Sequence, residues 1–282
     1  MNFYRTLSRS IEVRGIGLHS GREISLRLCP DERPGWRFRR LDLPCQPEVP
    51  ATLENVTSTQ HATLLQSGAA SVSTPEHLLA ALWSLDVTHA RIELDGPEVP
   101  ILDGSAAPWV EAIGAAGTQK IDGERPVWAL AQPVWWQQGS ASVIGLPSAD
   151  FRVCAAVDFD HPHAGAQIVA VEVNAENFAR ELAPARTFTL EAWLEPLRAA
   201  GLIRGGSLEN AVLVTQNGLS SPPRLDNEMA RHKALDCIGD LALLFGTTGA
   251  LFQGQLVANR AGHGPHRNWM EKCRNLGALI RV

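Results

Sequence analysis

The segment from Glu228 to Leu241 contains residues whose types and spacing suit a metal ion. His232, Asp236 and Asp240 follow one another at intervals of four residues. Because an α-helix turns once every 3.6 residues, side chains four positions apart project from neighbouring points of one helix face. An imidazole nitrogen and a carboxylate oxygen could therefore reach one point, as zinc requires. An amphipathic helix with solvated charges explains an isolated His-x3-Asp more simply, so the rest of the chain must decide.

A second segment, residues 74–85, could supply a third ligand and a general base. Its pattern predicts a helix with Thr74 as the N-cap and Pro75 at the first helical position. Glu76 and His77 then fall in the first turn, where the positive end of the helix dipole favours the carboxylate form of Glu76. The plainer interpretation of this pair is that Glu76 caps the helix and that His77 forms its hydrogen bonds with the backbone.

The elements after these two helices follow the same order in both halves of the chain. Residues 74–116 predict a helix, a strand, a polar loop and a second helix, and residues 229–276 repeat that order. A two-fold arrangement of the halves would bring the two key helices together. His77 could then complete a ligand set with His232 and Asp236.

The remaining periodicity predicts an α+β protein of two domains, residues 1–122 and 123–282. The Pro-rich stretch 31–72 predicts a small inserted sheet or a set of long connections. An apolar helix face between glycine-rich turns predicts a strand–helix–strand insertion near 188–214.

The limits of the last helix and the end of the first domain are also predicted. The last helix is expected to span His266–Leu276, which leaves His263 in the preceding loop. The first domain is expected to end near the Gly-rich and charged stretch 117–126.

Composition excludes several classes of function. A net charge of −5 gives no electrostatic case for binding nucleic acid or an anionic membrane. The chain shows no signal-peptide pattern and no apolar run of about 18 residues, so a cytoplasmic protein without a membrane segment is expected. Its five cysteines form no CxxC pair, which argues against a disulfide framework or a cysteine zinc site.

Seven motifs, in order, resemble the bacterial UDP-3-O-acyl-N-acetylglucosamine deacetylases, zinc amidases of lipid A (lipopolysaccharide) synthesis. The resemblance extends from Arg5 to about Arg267, and it rests on GIGLHSG, STPEHLLAAL, PILDGSAAPWV, ARTF, GLIRGGSLENAVL, RHKALDCIGDL and AGH. It implies two βα-sandwich domains of like topology, with helices layered on sheets and the active site between them.

The resemblance also implies a role for each matching residue. Zinc would be held by His77, His232 and Asp236, with Glu76 as the general base. The other catalytic residues would be His263 with its partner Asp240, Thr187 at the oxyanion and Lys233 beside the ligand histidine.

Further implications concern the substrate. The insertion near 188–214 would form the passage for the acyl chain of UDP-3-O-acyl-GlcNAc, while Asp103 and His19 would have supporting roles. Nucleic acid is not expected as a partner, and the enzyme is expected to be a monomer.

The chain departs from the family pattern at a few positions. His266 stands where many members have Asn, Pro265 precedes it, and Glu209 replaces a common Asp. Two alternatives therefore stay open: a related zinc deacylase acting on another acylated sugar nucleotide, and a catalytically silent homologue that binds acyl sugars. The residues also leave open the preferred acyl length and the choice between zinc and iron, since a His2Asp set accepts either metal.

Overall fold

The computed structural model describes residues 3–282. The first half contains β1 (Phe3–Leu7), β2 (Ile11–Ile16), β3 (Glu23–Cys29), β4 (Gly35–Arg40), β5 (Glu48–Pro50), β6 (Val56–Ser58), β7 (Leu64–Ser67), β8 (Ala70–Ser73), α1 (Glu76–Ser84), β9 (His89–Leu94), α2 (Ala107–Ala116) and β10 (Thr118–Glu124). The second half contains β11 (Val127–Leu130), β12 (Val134–Gln138), β13 (Ala141–Leu146), β14 (Phe151–Asp158), β15 (Ala166–Glu172), α3 (Ala175–Asn177), β16 (Phe188–Leu190), α4 (Glu191–Ala199), β17 (Val212–Thr215), β18 (Gly218–Leu219), α5 (Glu228–Ala242), β19 (Leu251–Asn259), α6 (His263–Asn275) and β20 (Leu279–Arg281).

Each half is built on a seven-stranded sheet. The first has the order β10-β1-β9-β3-β2, with β4 pairing β9 and β5 pairing β4. The second has the order β12-β13-β19-β11-β20, with β14 pairing β19 and β15 pairing β14.

The two sheets have the same strand directions as well as the same order. In the first sheet, β9 is parallel to β1 and β4 and antiparallel to β3. In the second, β19 is parallel to β11 and β14 and antiparallel to β13. This confirms the predicted fold class, an α+β protein of two βα-sandwich units with like topology.

Helices α1 and α5 pack against each other in the core of the molecule. All nine residues of α1 are buried, and so are most residues of α5, because sheets or helices cover these helices on several sides. Both helices nevertheless contain charged groups. Buried charges are stable only when partners neutralise or hydrogen-bond them, so these positions mark the region where a site is expected.

The two smaller sheets agree with the predicted insertions. Within residues 31–72, β4 and β5 join the first large sheet, while β6, β7 and β8 form a separate three-stranded sheet. Strands β16 and β17 pair in parallel with α4 between them, in the region where the strand–helix–strand insertion was predicted.

The predicted start of α1 was wrong. The helix begins at Glu76, and Pro75 rather than Thr74 is the N-cap. Thr74 has a φ of 58°, in the left-handed region, and its hydroxyl donates to Glu98 Oε1 at 3.2 Å. Its side chain therefore ties the start of the helix to the loop after β9 instead of capping α1.

The predicted start of α6 was also wrong, and the stretch 117–126, where the first domain was expected to end, contains a strand. Helix α6 begins at His263, because Gly262 provides an extended N-cap and Pro265 is tolerated in the first turn. Residues 118–124 form β10, whose hydrogen bonds come from β1. Because most side chains of this edge strand are polar, it lacks the alternation of polar and apolar residues by which strands are predicted.

Two further observations concern the described residues as a whole. None of their helices combines the length and the apolar character needed to cross a bilayer. The five cysteines are free thiols in residues 3–282.

Candidate functional site

Three side chains from α1 and α5 converge as a possible metal site. The ligand atoms of His77, His232 and Asp236 all lie within 4.8 Å of one another, and all three residues are buried. Asp236 Oδ1 is 3.5 Å from His77 Nε2 and 3.4 Å from His232 Nε2. The structure thus brings the three predicted ligands together. His232 and Asp236 share one face of α5, as their spacing predicted, and α1 of the other half of the chain supplies His77.

The protonation of this set suits a divalent cation. His232 Nδ1 lies 3.1 Å from the carbonyl oxygen of Ala185, so the ring donates there and keeps the Nε2 lone pair for a metal. Burial lowers the pKa of His232 to about 4, which makes the ring neutral near pH 7. Burial alone would raise the pKa of Asp236, but His232 and Lys233 hold it well below its usual value. Two imidazoles and one carboxylate are a common ligand set of catalytic zinc sites.

Close packing of the two helices makes this convergence possible. Gly239 of α5 faces the backbone of Glu76 on α1, and a Cβ atom at position 239 would lie only 2.1 Å from the Glu76 carbonyl oxygen. Only a glycine permits this approach, which sets the distance between the ligands of α1 and those of α5.

Glu76 is a buried carboxyl group beside the proposed ligands. It is 4% exposed, and its Oε2 has no hydrogen-bond partner among the described residues. Burial raises the pKa of Glu76 to about 7, with the nearby Asp240 and Asp236 adding to the effect. A carboxyl group with a pKa near neutrality can exchange protons at physiological pH, as a general base must.

His263 faces Glu76 from the first turn of α6. Its Nε2 is 3.7 Å from Glu76 Oε1, and its Nδ1 is 2.8 Å from Asp240 Oδ2. Burial alone would lower the pKa of His263, but the Asp240 carboxylate raises it to about 9. The imidazolium form is therefore populated at neutral pH, and it can donate a proton.

Asp240 is fixed by more partners than the sequence predicted. Thr63 Oγ1 donates to Oδ1 at 2.8 Å, and His266 Nδ1 lies 2.7 Å from Oδ2. Although burial opposes ionisation, His263 and His266 hold the pKa of Asp240 well below its usual value. Asp240 is thus an ionised carboxylate that accepts hydrogen bonds from three side chains, Thr63 before β7 and His263 and His266 on α6.

A cavity of about 670 Å³ opens beside these groups. Its polar end includes Glu76, His77, Asp236 and His263. Its other walls are largely apolar. Leu18 and Ile101 come from loops of the first half, and the insertion contributes Phe188, Trp193, Leu194, Leu197, Ile203, Leu208 and Leu213. A pocket of this shape can hold a polar group near the ligands and a long apolar group away from them.

Thr187 and Lys233 also line this cavity. The backbone N–H of Thr187 donates to Gly104 O at 2.7 Å, which joins the segment before β16 to the loop after β9. Lys233 Nζ donates to Asp236 Oδ2 at 2.8 Å, so Oδ1 of Asp236 stays directed at the two histidines.

His19 and Asp103, for which supporting roles were predicted, lie in different places. His19 lines the cavity, and both of its ring nitrogens lack hydrogen-bond partners among the described residues. Asp103 does not line it; instead its Oδ2 accepts from Arg224 at 2.6 Å. Sequence reasoning did not identify Thr63, which no motif marks, or Glu98, which accepts from the backbone N–H groups of residues 19 and 20.

Comparison with known proteins agrees with these features. Residues 4–274 match the LpxC family, described as UDP-3-O-acyl N-acetylglycosamine deacetylase. A UDP-3-O-acyl-N-acetylglucosamine deacetylase of Trichormus variabilis is 42% identical over 268 residues, covering 93% of this chain and 94% of that protein. Proteins with the same name are 41% identical in Geotalea uraniireducens, over 93% of this chain and 85% of that protein, and 44% identical in Thermosynechococcus vestitus, over 93% and 90%.

The family pattern spans nearly the whole chain, and each of these relatives exceeds 40% identity along most of its own length. The chain therefore belongs to the LpxC family of UDP-3-O-acyl N-acetylglycosamine deacetylases.

Proposed function

We propose that this protein is a zinc-dependent amidase that removes the N-acetyl group of UDP-3-O-acyl-GlcNAc. The products are acetate and UDP-3-O-acyl-glucosamine, in the committed step of lipid A biosynthesis. The observation that carries the proposal is the convergence of His77, His232 and Asp236 with Glu76 at one end of a largely apolar cavity. Membership of the deacetylase family supports the substrate.

The metal site would be formed by His77, His232 and Asp236. Zinc bound by these residues would supply Lewis acidity toward the amide carbonyl and would lower the pKa of the attacking water. Three protein ligands are typical of catalytic zinc sites, whereas structural sites usually have four. Iron would accept the same donors, and zinc is the metal that we propose.

Glu76 would act as the general base in the attack on the amide. Its buried carboxyl group has a pKa near 7 and an oxygen without a partner among the described residues, so it can take a proton from water. Negative charge then develops on the carbonyl oxygen. The hydroxyl of Thr187, which lines the same cavity, would donate to this oxygen.

His263 would protonate the leaving amine. Its Nδ1 is bound to Asp240, so its Nε2 carries the proton that can be transferred. Asp240 stabilises the imidazolium and fixes the ring. Lys233 keeps Asp236 in place and would attract anionic parts of the substrate.

The apolar walls of the cavity would hold the acyl chain. They are contributed largely by β16, α4 and the segment before β17, within the insertion near 188–214. Each methylene buried there contributes about 0.8 kcal/mol to binding.

Some properties of the whole protein belong to the same proposal. We propose two domains, residues 1–122 and 123–282, with the boundary close to the end of β10, and a monomeric enzyme of the cytoplasm. Size-exclusion chromatography with light scattering would measure the oligomeric state.

Acetate release from UDP-3-O-acyl-GlcNAc, measured together with metal content, tests the function. Chelation should abolish turnover, and zinc should restore it. Glu76→Ala should keep zinc bound and lower kcat by several orders of magnitude. Turnover by metal-free protein, or full turnover by the Glu76 variant, would refute the mechanism.

A second candidate function is deacylation of another acylated sugar nucleotide. The departures at Pro265, which lines the cavity, and at the next residue, His266, favour considering it. A panel of acylated sugar nucleotides would separate the two functions by their kcat/KM values. A catalytically silent homologue would instead bind these compounds without releasing acetate.

A further inference from the structure

The carboxylate of Asp240 joins three elements of the structure. Asp240 lies on α5, Thr63 lies just before β7, and His263 and His266 lie three residues apart on one face of α6. His263 lines the cavity, whereas neither Asp240 nor His266 is part of the described cavity wall. His266 can therefore influence a reaction in the cavity only through another residue.

The hydrogen bonds of this cluster have a defined direction. An ionised carboxylate can only accept, so the rings of His263 and His266 both donate from Nδ1 to Asp240 Oδ2. Thr63 donates to the other oxygen, Oδ1. Donors on both oxygens oppose rotation of the carboxylate group about its Cβ–Cγ bond.

Packing alone does not explain an imidazole at position 266. The residue is 3% exposed, and its Nε2 has no hydrogen-bond partner among residues 3–282. A buried nitrogen without a partner is unfavourable, and an apolar side chain of similar size would fill the space without it. The buried thiol of Cys237 is a polar neighbour of the ring, and the hydrogen bond that the structure gives this side chain is the one to Asp240.

We propose that His266 is a positioning residue: its Nδ1–H holds the Asp240 carboxylate in the orientation that fixes His263 as proton donor. The inference rests on the proposed roles of Asp240 and His263. It gives a function to a buried histidine that none of the other proposed roles uses.

Two substitutions separate the hydrogen bond from the packing. His266→Asn keeps a donor, because the amide nitrogen of Asn lies about as far from the backbone as His Nδ1. His266→Phe fills the space without a donor. If that variant does not fold, His266→Leu serves as the variant without a donor. His163→Asn, at an exposed histidine outside the cavity wall, is the matched control.

Steady-state kinetics of the zinc-loaded full chain give the first measurement, with rates normalised to bound zinc. We expect His266→Phe to lower kcat at least tenfold with KM changed less than twofold. His266→Asn should stay within threefold of the unchanged protein in kcat. A purely structural role would change stability but leave kcat per zinc site unaltered.

Proton NMR of the imidazole N–H groups gives the second measurement. N–H protons that are hydrogen-bonded to a buried carboxylate exchange slowly with water and resonate far downfield. His266→Asn should retain the His263 Nδ1–H resonance, and His266→Phe should shift or broaden it. Unchanged kcat in the Phe and Leu variants, or equal losses in Asn and Phe, would overturn the inference. Full activity of His263→Gln would instead overturn the role proposed for His263.

Discussion

Gly239 of α5 lies against the backbone of Glu76 on α1, where a Cβ atom would come within 2.1 Å of the carbonyl oxygen. This contact joins the two halves of the chain next to His77, whose partners His232 and Asp236 lie on α5. The spacing of the proposed metal ligands therefore depends on Gly239, which has a hydrogen atom where every other residue has a side chain.

Gly239→Ala should push the two helices apart and reduce both stability and turnover. Overpacking of this kind costs about 1–3 kcal/mol, and a displacement of about 1 Å at a reacting group can lower the rate about 100-fold. Urea denaturation and acetate release would measure the two effects. Gly114→Ala is the control, because nothing lies within 4 Å of a Cβ at that helical position and alanine favours a helix. Unaltered turnover in Gly239→Ala would contradict the role of this contact.

The rate should depend on pH through Glu76 and His263. Glu76 works unprotonated, so kcat/KM should fall as pH drops through its pKa, about 7 in the absence of metal and lower beside a bound cation. His263 works protonated, so kcat/KM should fall again as pH rises through about 9. Rate measurements from pH 5 to 10 would reveal both limbs. His263→Gln should remove the basic limb, and a basic limb that persists in that variant would disprove the assignment.

Thr187→Val should lower kcat by about 10²–10³-fold, because the hydroxyl group that stabilises the oxyanion is lost while the shape is kept. The effect on KM should be small, since this charge exists only in the transition state. Thr189→Val is the control in the same cavity wall. Equal kinetics for the two valine variants would exclude Thr187 as the donor.

Glu228→Ala should destabilise the fold by about 3–5 kcal/mol, because it leaves the buried guanidinium of Arg186 without its anion. Glu228 accepts from Arg186 Nε at 2.8 Å and from the Arg186 backbone N–H at 3.0 Å. This pair fixes the residue next to Thr187. The free energy of unfolding from chemical denaturation is the measurement. Glu176→Ala, in an exposed ion pair, should change it by less than about 0.5 kcal/mol, and a similar loss in both variants would contradict the argument.

The sequence predicted much of the local structure. The helix expected at Glu228–Leu241 was observed at Glu228–Ala242, and the strand–helix–strand insertion was found where the glycine-rich turns predicted it. The start of α6 was wrong because Gly264 and Pro265 resemble a loop, although both fit the first turn of a helix. This difference matters, since it places His263 and His266 on one face of α6.

The sequence by itself determined the chemistry that was available: a His-x3-Asp-x3-Asp face on one helix, a Glu–His pair at the start of another, and a repeated order of elements. These features depend on local spacing, which helix geometry fixes within a few residues. The tertiary structure decided which groups meet. Thr63 and His266 reach Asp240 from distant positions, and α1 approaches α5 through Gly239. Such contacts depend on how both sheets and their helices pack, and no local pattern in the chain encodes them.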